Sequence, residues 1–269
     1  MIEGVDFNEC FAPVAKMSTL RIFLTIVAIR NLHTGSLDVK TAYLNAPIDE
    51  EVYMEPSKDF IRLLKLLLKK RVRTEVDRLF IQIMISKLRK GAKLRLLKAI
   101  YGTKQGGRQW FLMINDYIRS LGFTPNNADH CFYSLIIGED YVLLLLYVDD
   151  VIIGGTSDEL VQKYRRLIQA KWRITWNGEL TEFLNIQIKH LRDIERVHMS
   201  QAPYVEKFFE QYGFQEDPSV ETAMQENLRL PAEEESNLTT KQAKFVADFP
   251  YQQLIGCLLY LNVCTMPTI

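Results

Sequence analysis

The stretch from Tyr141 to Gly155, Tyr-Val-Leu-Leu-Leu-Leu-Tyr-Val-Asp-Asp-Val-Ile-Ile-Gly-Gly, constrains this chain more than any other. Two apolar runs, Val142–Val148 and Val151–Ile153, flank Asp149 and Asp150. Each is too short for a helix, and both are rich in Val, Ile and Leu, so they are expected to be buried strands. Two carboxylates between two core strands predict the tip of a β-hairpin. Adjacent like charges there raise the pKa of one partner unless a cation lies between them. Hard divalent cations such as Mg²⁺ take carboxylate oxygens. An Asp-rich turn with no metal carries the same two residues, so the metal reading needs a third carboxylate.

The chain has 269 residues, enough for one large or two small domains, with 33 Lys and Arg against 33 Asp and Glu. That neutrality hides an asymmetry. Residues 61–108 hold 15 Lys and Arg against only Glu75 and Asp77, a net +13 that leaves −13 on the rest. A basic stretch beside an acidic site suits a polyanion near a metal centre; a solvated helix face is the alternative. Cys10, Cys131, Cys257 and Cys264 form no zinc spacing. Met1–Phe11 has no apolar core of a signal peptide, and the runs at Val142–Val148 and Leu254–Val263 are too short to span a bilayer. A soluble intracellular chain is expected, with no membrane partner.

In chain order, helical spacing of Leu20, Phe23, Leu24, Val27 and Ala28 predicts a helix over Met17–Arg30 with Ser18 as N-cap. A turn is expected at His33–Ser36, with His33 a surface residue, and then a short strand at Leu37–Val39 containing Asp38. Glu51–Glu55 alternates like an edge strand, whereas Ile61–Leu97 is helix-prone with poor periodicity. The glycine-rich loop Tyr101–Trp110 leads into a helix from about Gln109 to Leu121. After a strand at Asp129–Ile137 and the central hairpin comes a helix over Ser157–Ala170, with Asp158 and Glu159 in its first turn. Phe183–His190 and Val197–Ser200 suggest a second hairpin, Pro203–Tyr212 a helix closed by Gly213, Glu216–Thr240 an acidic linker and Tyr251–Val263 a last apolar helix. The expected class is α+β, with helices on one face of an antiparallel sheet.

Two-metal nucleotidyl transfer needs carboxylates holding two cations about 3.5–4 Å apart. Asp149 and Asp150 supply part of that shell, and Asp38 the rest if its strand neighbours theirs. These residues carry a resemblance. Tyr147-Val148-Asp149-Asp150 resembles the catalytic box of reverse transcriptases. Leu37-Asp38-Val39-Lys40-Thr41-Ala42-Tyr43-Leu44-Asn45, followed by Glu51-Val52-Tyr53-Met54, resembles the first catalytic motif of copia-type LTR retrotransposon polymerases. Phe11-Ala12-Pro13-Val14, Tyr101-Gly102-Thr103-Lys104-Gln105, Leu121-Gly122-Phe123, Phe183-Leu184-Asn185-Ile186 and the run from Tyr251 to Tyr260 extend the likeness over nearly the whole chain except about 61–90.

The resemblance implies a polymerase palm, a ferredoxin-like antiparallel sheet with helices on one face. Residues 1–200 would be the palm with incomplete fingers, 61–90 being an atypical basic insertion, and 201–269 would begin a thumb. The implied activity is RNA-directed DNA synthesis from dNTPs on an RNA or DNA template-primer. Asp38, Asp149 and Asp150, with the Val39 backbone, would hold two Mg²⁺ ions, Mn²⁺ being a substitute. Tyr43 would be the steric gate under the incoming sugar, and Gln105 would contact nucleotide or template. Tyr147, Lys104 and Arg108 would face nucleic acid, a solvated loop cation being the alternative for the last two. Residues 177–188 would contain the primer grip, and Trp172 and Trp176 are expected to pack in the core or on the primer side. Four departures from the family pattern stand out: little chain precedes Phe11, so a fingers segment is expected to be missing; 61–90 is foreign; Gly107 and Asn185 replace the usual Pro and Gly; and a following RNase H domain is expected to be missing, as is the integrase region of the polyprotein, expected upstream. A catalytically inactive retrotransposon remnant that at most binds nucleic acid is the competing expectation.

Overall fold

The computed structural model describes residues 9–57, 59–70, 74–216 and 239–266. In chain order its elements are α1 (Met17–Ile29), β1 (His33–Val39), α2 (Ala42–Asn45), β2 (Tyr53–Met54), α3 (Phe60–Lys70), α4 (Glu75–Arg89), β3 (Leu94–Arg95) and α5 (Gly106–Ser120). There follow β4 (Thr124–Pro125), β5 (Phe132–Ile137), β6 (Asp140–Tyr147), β7 (Asp150–Gly155), α6 (Asp158–Lys171), β8 (Ile174–Gly178), β9 (Glu182–Phe183), β10 (Ile186–Leu191), β11 (Arg196–Ser200), α7 (Ala202–Tyr212), α8 (Thr240–Asp248) and α9 (Tyr251–Cys264). The expected acidic linker falls mainly on 217–238, outside the described residues. Among the described residues no helix is long and apolar enough to cross a membrane.

The main sheet is antiparallel with strand order β4-β5-β6-β7-β1-β8. The β6–β7 hairpin lies at its centre and is covered on both sides, which corrects the one-faced sheet expected from the sequence. Val142, Leu144, Leu146, Val151 and Ile153 pack against Trp110, Ile114 and Ile118 of α5 and Val161, Tyr164 and Ile168 of α6. Leu143, Leu145 and Ile152 pack against Leu20, Phe23, Leu24 and Val27 of α1 and Ile186 and Ile188 of β10. The reason is in the sequence itself. A strand wet on one face alternates apolar and polar residues, whereas one covered on both faces is apolar throughout, as Val142–Leu146 is.

β1 starts at His33, so the expected turn at His33–Ser36 is strand instead. Gly35 is there for space: a Cβ on it would lie 2.0 Å from the Trp176 ring, which crosses the strand from β8. Arg165 lies over Trp176, 5.2 Å from the ring. Trp172 is buried in edge contacts with Trp110 and Tyr117, so both tryptophans are packing residues.

Ser18 does not cap α1, which begins a residue before it. The helix start is held from a distance. Asp129 Oδ2 accepts the Lys16 backbone N–H at 3.0 Å and the Thr19 hydroxyl at 2.6 Å, and Asp129 Oδ1 accepts the Cys131 N–H. Ser157 caps α6, one residue before the helix begins, and Gly213, at φ +72°, closes α7 as the local sequence predicts.

The basic stretch resolves into two helices. Thr74 caps α4 by accepting the Asp77 N–H, and α3 and α4 pack through Leu64, Ile85 and Leu88. The pair is inserted between β2 and β3, a two-stranded ribbon of which only Tyr53–Met54 remains of the longer edge strand expected. α5 begins at Gly106, three residues before the sequence signal, and its first two residues, Gly106 and Gly107, lie against the Tyr43 ring.

Candidate active site

Tyr147 pairs with Asp150 across the hairpin, leaving Val148 and Asp149 as a two-residue turn. Val148 sits at φ +57°, a conformation that costs a β-branched residue on the order of 1–3 kcal/mol. The surroundings impose it. The Trp110 indole N–H donates to the Val148 carbonyl at 2.6 Å, and the Val39 N–H donates to the Asp149 carbonyl at 2.8 Å. The two turn carbonyls are thus tied, one to α5 and one to β1.

β1 pairs with β7 so that Asp38 stands directly opposite Asp150. Directly opposed residues share a sheet face, so the sequence-distant carboxylate joins the adjacent pair. Asp38, Asp150 and Tyr147 occupy the face that also carries α1 and β9–β11. Asp150 there lines a cavity of about 500 Å³ with Ser36, Asn177, Glu182 and Asn185. Burial pushes the Asp150 carboxyl up to about 6, with help from the charges of Asp149 and Asp38 and opposition from Lys40.

The other two acids have neighbours of their own. The Lys40 ammonium is 2.6 Å from Asp38 Oδ1, a buried oxygen that receives no properly oriented hydrogen bond among the described residues. The Tyr101 hydroxyl donates to Asp149 Oδ2 at 3.0 Å. The Tyr101 ring stacks on Tyr43 with centroids 4.1 Å apart and planes 20° apart. Burial, followed by the Asp149 charge, raises the Tyr43 phenol pKa, and burial with the Asp149 hydrogen bond raises that of Tyr101. Among the described residues, no three His, Cys, Asp or Glu side chains converge as placed on a single ion position.

The remaining predicted site residues scatter. Val39 gives its N–H to the turn. Tyr147 packs edge-on against Phe183, 6.3 Å between centroids. Gln105 is buried, and its amide donates to Glu50 Oε2 at 2.6 Å, so that group faces inward. Arg108 is ion-paired with Glu9, and Lys104 is exposed. Asn185 is at φ +57° and Leu184 at φ +52°, a left-handed pair beside the cavity. Sequence reasoning quoted Tyr101 and Lys40 without giving either a role. Lys40 was findable, because it stands one residue past the end of β1, two residues from Asp38, a spacing that extended chain places on one face. No local signal points Tyr101 at Asp149.

The sequence profile described as "Reverse transcriptase (RNA-dependent DNA polymerase)" matches residues 1–63 and 82–226. The chain is 30% identical over 268 residues to the Retrovirus-related Pol polyprotein from transposon TNT 1-94 of Nicotiana tabacum, covering 99% of this chain and 18% of that protein. It is 26% identical over 258 residues to the Pol polyprotein from transposon RE1 of Arabidopsis thaliana, covering 96% and 15% respectively. With the putative transposon Ty5-1 protein YCL074W of Saccharomyces cerevisiae it shares 20% identity, over 83% of this chain and 62% of that one. The chain therefore spans less than a fifth of the two plant polyproteins it matches. The unmatched residues, 64–81, fall in α3 and α4 and the connection between them. With a profile match over most of its length and Pol polyproteins as relatives, the chain belongs to the reverse transcriptase family of retrotransposons.

Proposed function

We propose that this chain is the polymerase palm of a retrotransposon reverse transcriptase and transfers nucleotidyl groups from dNTPs to a primer 3′-hydroxyl on an RNA or DNA template. One observation carries the reading: Asp38 stands opposite Asp150 in the sheet, with Asp149 at the adjoining turn. The donor set fits divalent ions. It consists of hard oxygens on a pinned backbone, one of them, Asp38 Oδ1, held 2.6 Å from the Lys40 ammonium, a cation that a metal ion would replace, and burial, helped by the charges of Asp149 and Asp38, holds the Asp150 carboxyl up to about 6. Asp38, Asp149 and Asp150 would hold two Mg²⁺ ions, with Mn²⁺ as substitute and the Val39 carbonyl nearby. Bound there, such ions would supply activation of the attacking hydroxyl and neutralisation of the triphosphate.

The protein's own residues do the rest. The turn pinned by Trp110 and Val39 keeps Asp149 in register with Asp38. Tyr43, braced by Gly106 and Gly107, fills the space a 2′-hydroxyl needs and so selects dNTPs. The cavity under Asp150, edged by Asn177 and Asn185, receives the primer end, and residues from 201 onward begin the thumb. Lys40 neutralises Asp38 while no cation is bound.

Primer extension on an RNA template with Mg²⁺ and dNTPs tests the reading. Product with the parent and none with Asp149→Asn is the expected result; equal activity of the two would refute the triad. A second reading, a nucleic-acid-binding remnant without catalysis, draws support from the inward engagement of Gln105 with Glu50 and from the surface ion pair that Arg108 makes with Glu9. It predicts salt-sensitive RNA or DNA binding and no extension.

A further inference from the structure

Tyr101 occupies both halves of the site at once. Its hydroxyl takes an oxygen of Asp149 and its ring covers Tyr43. Yet it is not a core residue: 57% of its surface is exposed. Gly102 follows it at φ +96°, with nothing within 4 Å of where a Cβ would stand. A side chain that is exposed, attached beside an open glycine and held by one hydrogen bond and one stack can leave as a unit.

We propose that Tyr101 is a latch on this site, which cation and nucleotide must displace. The proposal rests on the polymerase reading above. With Tyr101 closed, Asp149 Oδ2 is spent on a phenol and the sugar-selecting face of Tyr43 is covered. Swinging Tyr101 outward about Gly102 frees the third carboxylate and uncovers the ring in one movement. The latch makes cation and nucleotide binding mutually supportive, since whichever arrives first removes the obstacle to the other. This is coupling through a shared two-state element.

The test uses the purified full chain and Mn²⁺ as probe, with binding followed by electron paramagnetic resonance. Tyr101→Phe keeps the stack and deletes the competing hydroxyl. The worth of a hydrogen bond to a charged group makes the expected Mn²⁺ affinity roughly 10- to 100-fold tighter than in the parent. Unchanged or weaker binding would overturn the latch and make Tyr101 a support for Asp149. Tyr101→Ala removes the ring as well and is expected to lower the KM for dNTP in primer extension. A raised KM would mean the ring is a platform for the nucleotide, and the latch fails on that result too. Asp149→Asn separates this proposal from the one beneath it: retained Mn²⁺ binding in that variant would sink the metal reading itself, whatever Tyr101 does.

Discussion

Replacing Asp150 by Asn should make the metal-free protein more stable while abolishing the primer extension proposed for it. In the folded chain this carboxyl is raised from an ordinary 3.8 to about 6 by burial and by the charges of Asp149 and Asp38. A group that binds protons more tightly folded than unfolded favours folding when protonated. Stability is therefore highest below about pH 4 as far as this group is concerned, falls as pH rises between 3.8 and 6, and levels off above. The full shift corresponds to about 3 kcal/mol; the side chain is only half buried, and solvent screening brings that to about 1–2 kcal/mol. Asn has the same shape and no charge, so it escapes the penalty. In EDTA at pH 7.5, Asp150→Asn should melt about 2–6 °C above the parent. The gap should close by pH 4, and added Mn²⁺ should stabilise the parent but not the variant. Thermal melts at half-unit pH intervals read all of this. A variant less stable than the parent at pH 7.5, or a gap independent of pH, would show that Asp150 carries no strain from its acidic neighbours. A gain in stability at the expense of function is what a site built from repelling groups implies.

Asp129→Ala removes two hydrogen bonds at the start of α1 and one to the Cys131 N–H, and should cost about 2–3 kcal/mol in urea unfolding; a cost under about 0.5 kcal/mol would mean the helix start needs no outside acceptor. Gly35→Ala sets a Cβ 2.0 Å from the Trp176 ring. It should cost at least about 2 kcal/mol and shift the near-ultraviolet tryptophan signal, and an unchanged signal would show that β1 and β8 adjust freely. Asn185→Gly places glycine at φ +57° and should stabilise the chain by about 0.5 kcal/mol in the same urea assay; a loss would point to a contact made by the Asn185 amide.

The central hairpin was legible because its information is contiguous: seven apolar residues, two acids and three more apolar residues. α1 was legible for a similar reason, its buried residues being those with helical spacing. Where the reading failed, the cause was a partner remote in sequence. Gly35 looks like a turn signal until Trp176 is seen lying across it. Nothing near Ser18 reveals that Asp129 takes over the role of cap. α3 does carry helical periodicity, with Arg62, Lys65 and Lys69 on one face, but the apolar residues of α3 and α4 extend beyond the seam where the two helices pack. Leu63, Leu66 and Leu67 on α3 and Leu79, Phe80 and Ile83 on α4 are left exposed. Asp38 was nominated by its place on a predicted strand, ahead of any resemblance, but only the strand register shows that it stands opposite Asp150. Tyr101 was named by its motif, but its contact with Asp149 spans 48 residues of sequence.

The pairing of β1 with β7 has a kinetic consequence. The two strands that carry Asp38 and Asp150 are joined by residues 40–149, so the acidic cluster cannot form until all of that chain has been synthesised and has condensed. Such long-range pairing is intrinsically slow. It is also forgiving of length. Closure entropy grows only logarithmically, by about 0.6 kcal/mol for each doubling of a loop. Residues 64–81, which the family profile skips, lengthen an already long excursion by a minor fraction and so add only a few tenths of a kcal/mol. A chain organised around this register can therefore accept foreign sequence between its two halves at little thermodynamic cost, and an insertion there need not disturb the meeting of Asp38 with Asp150.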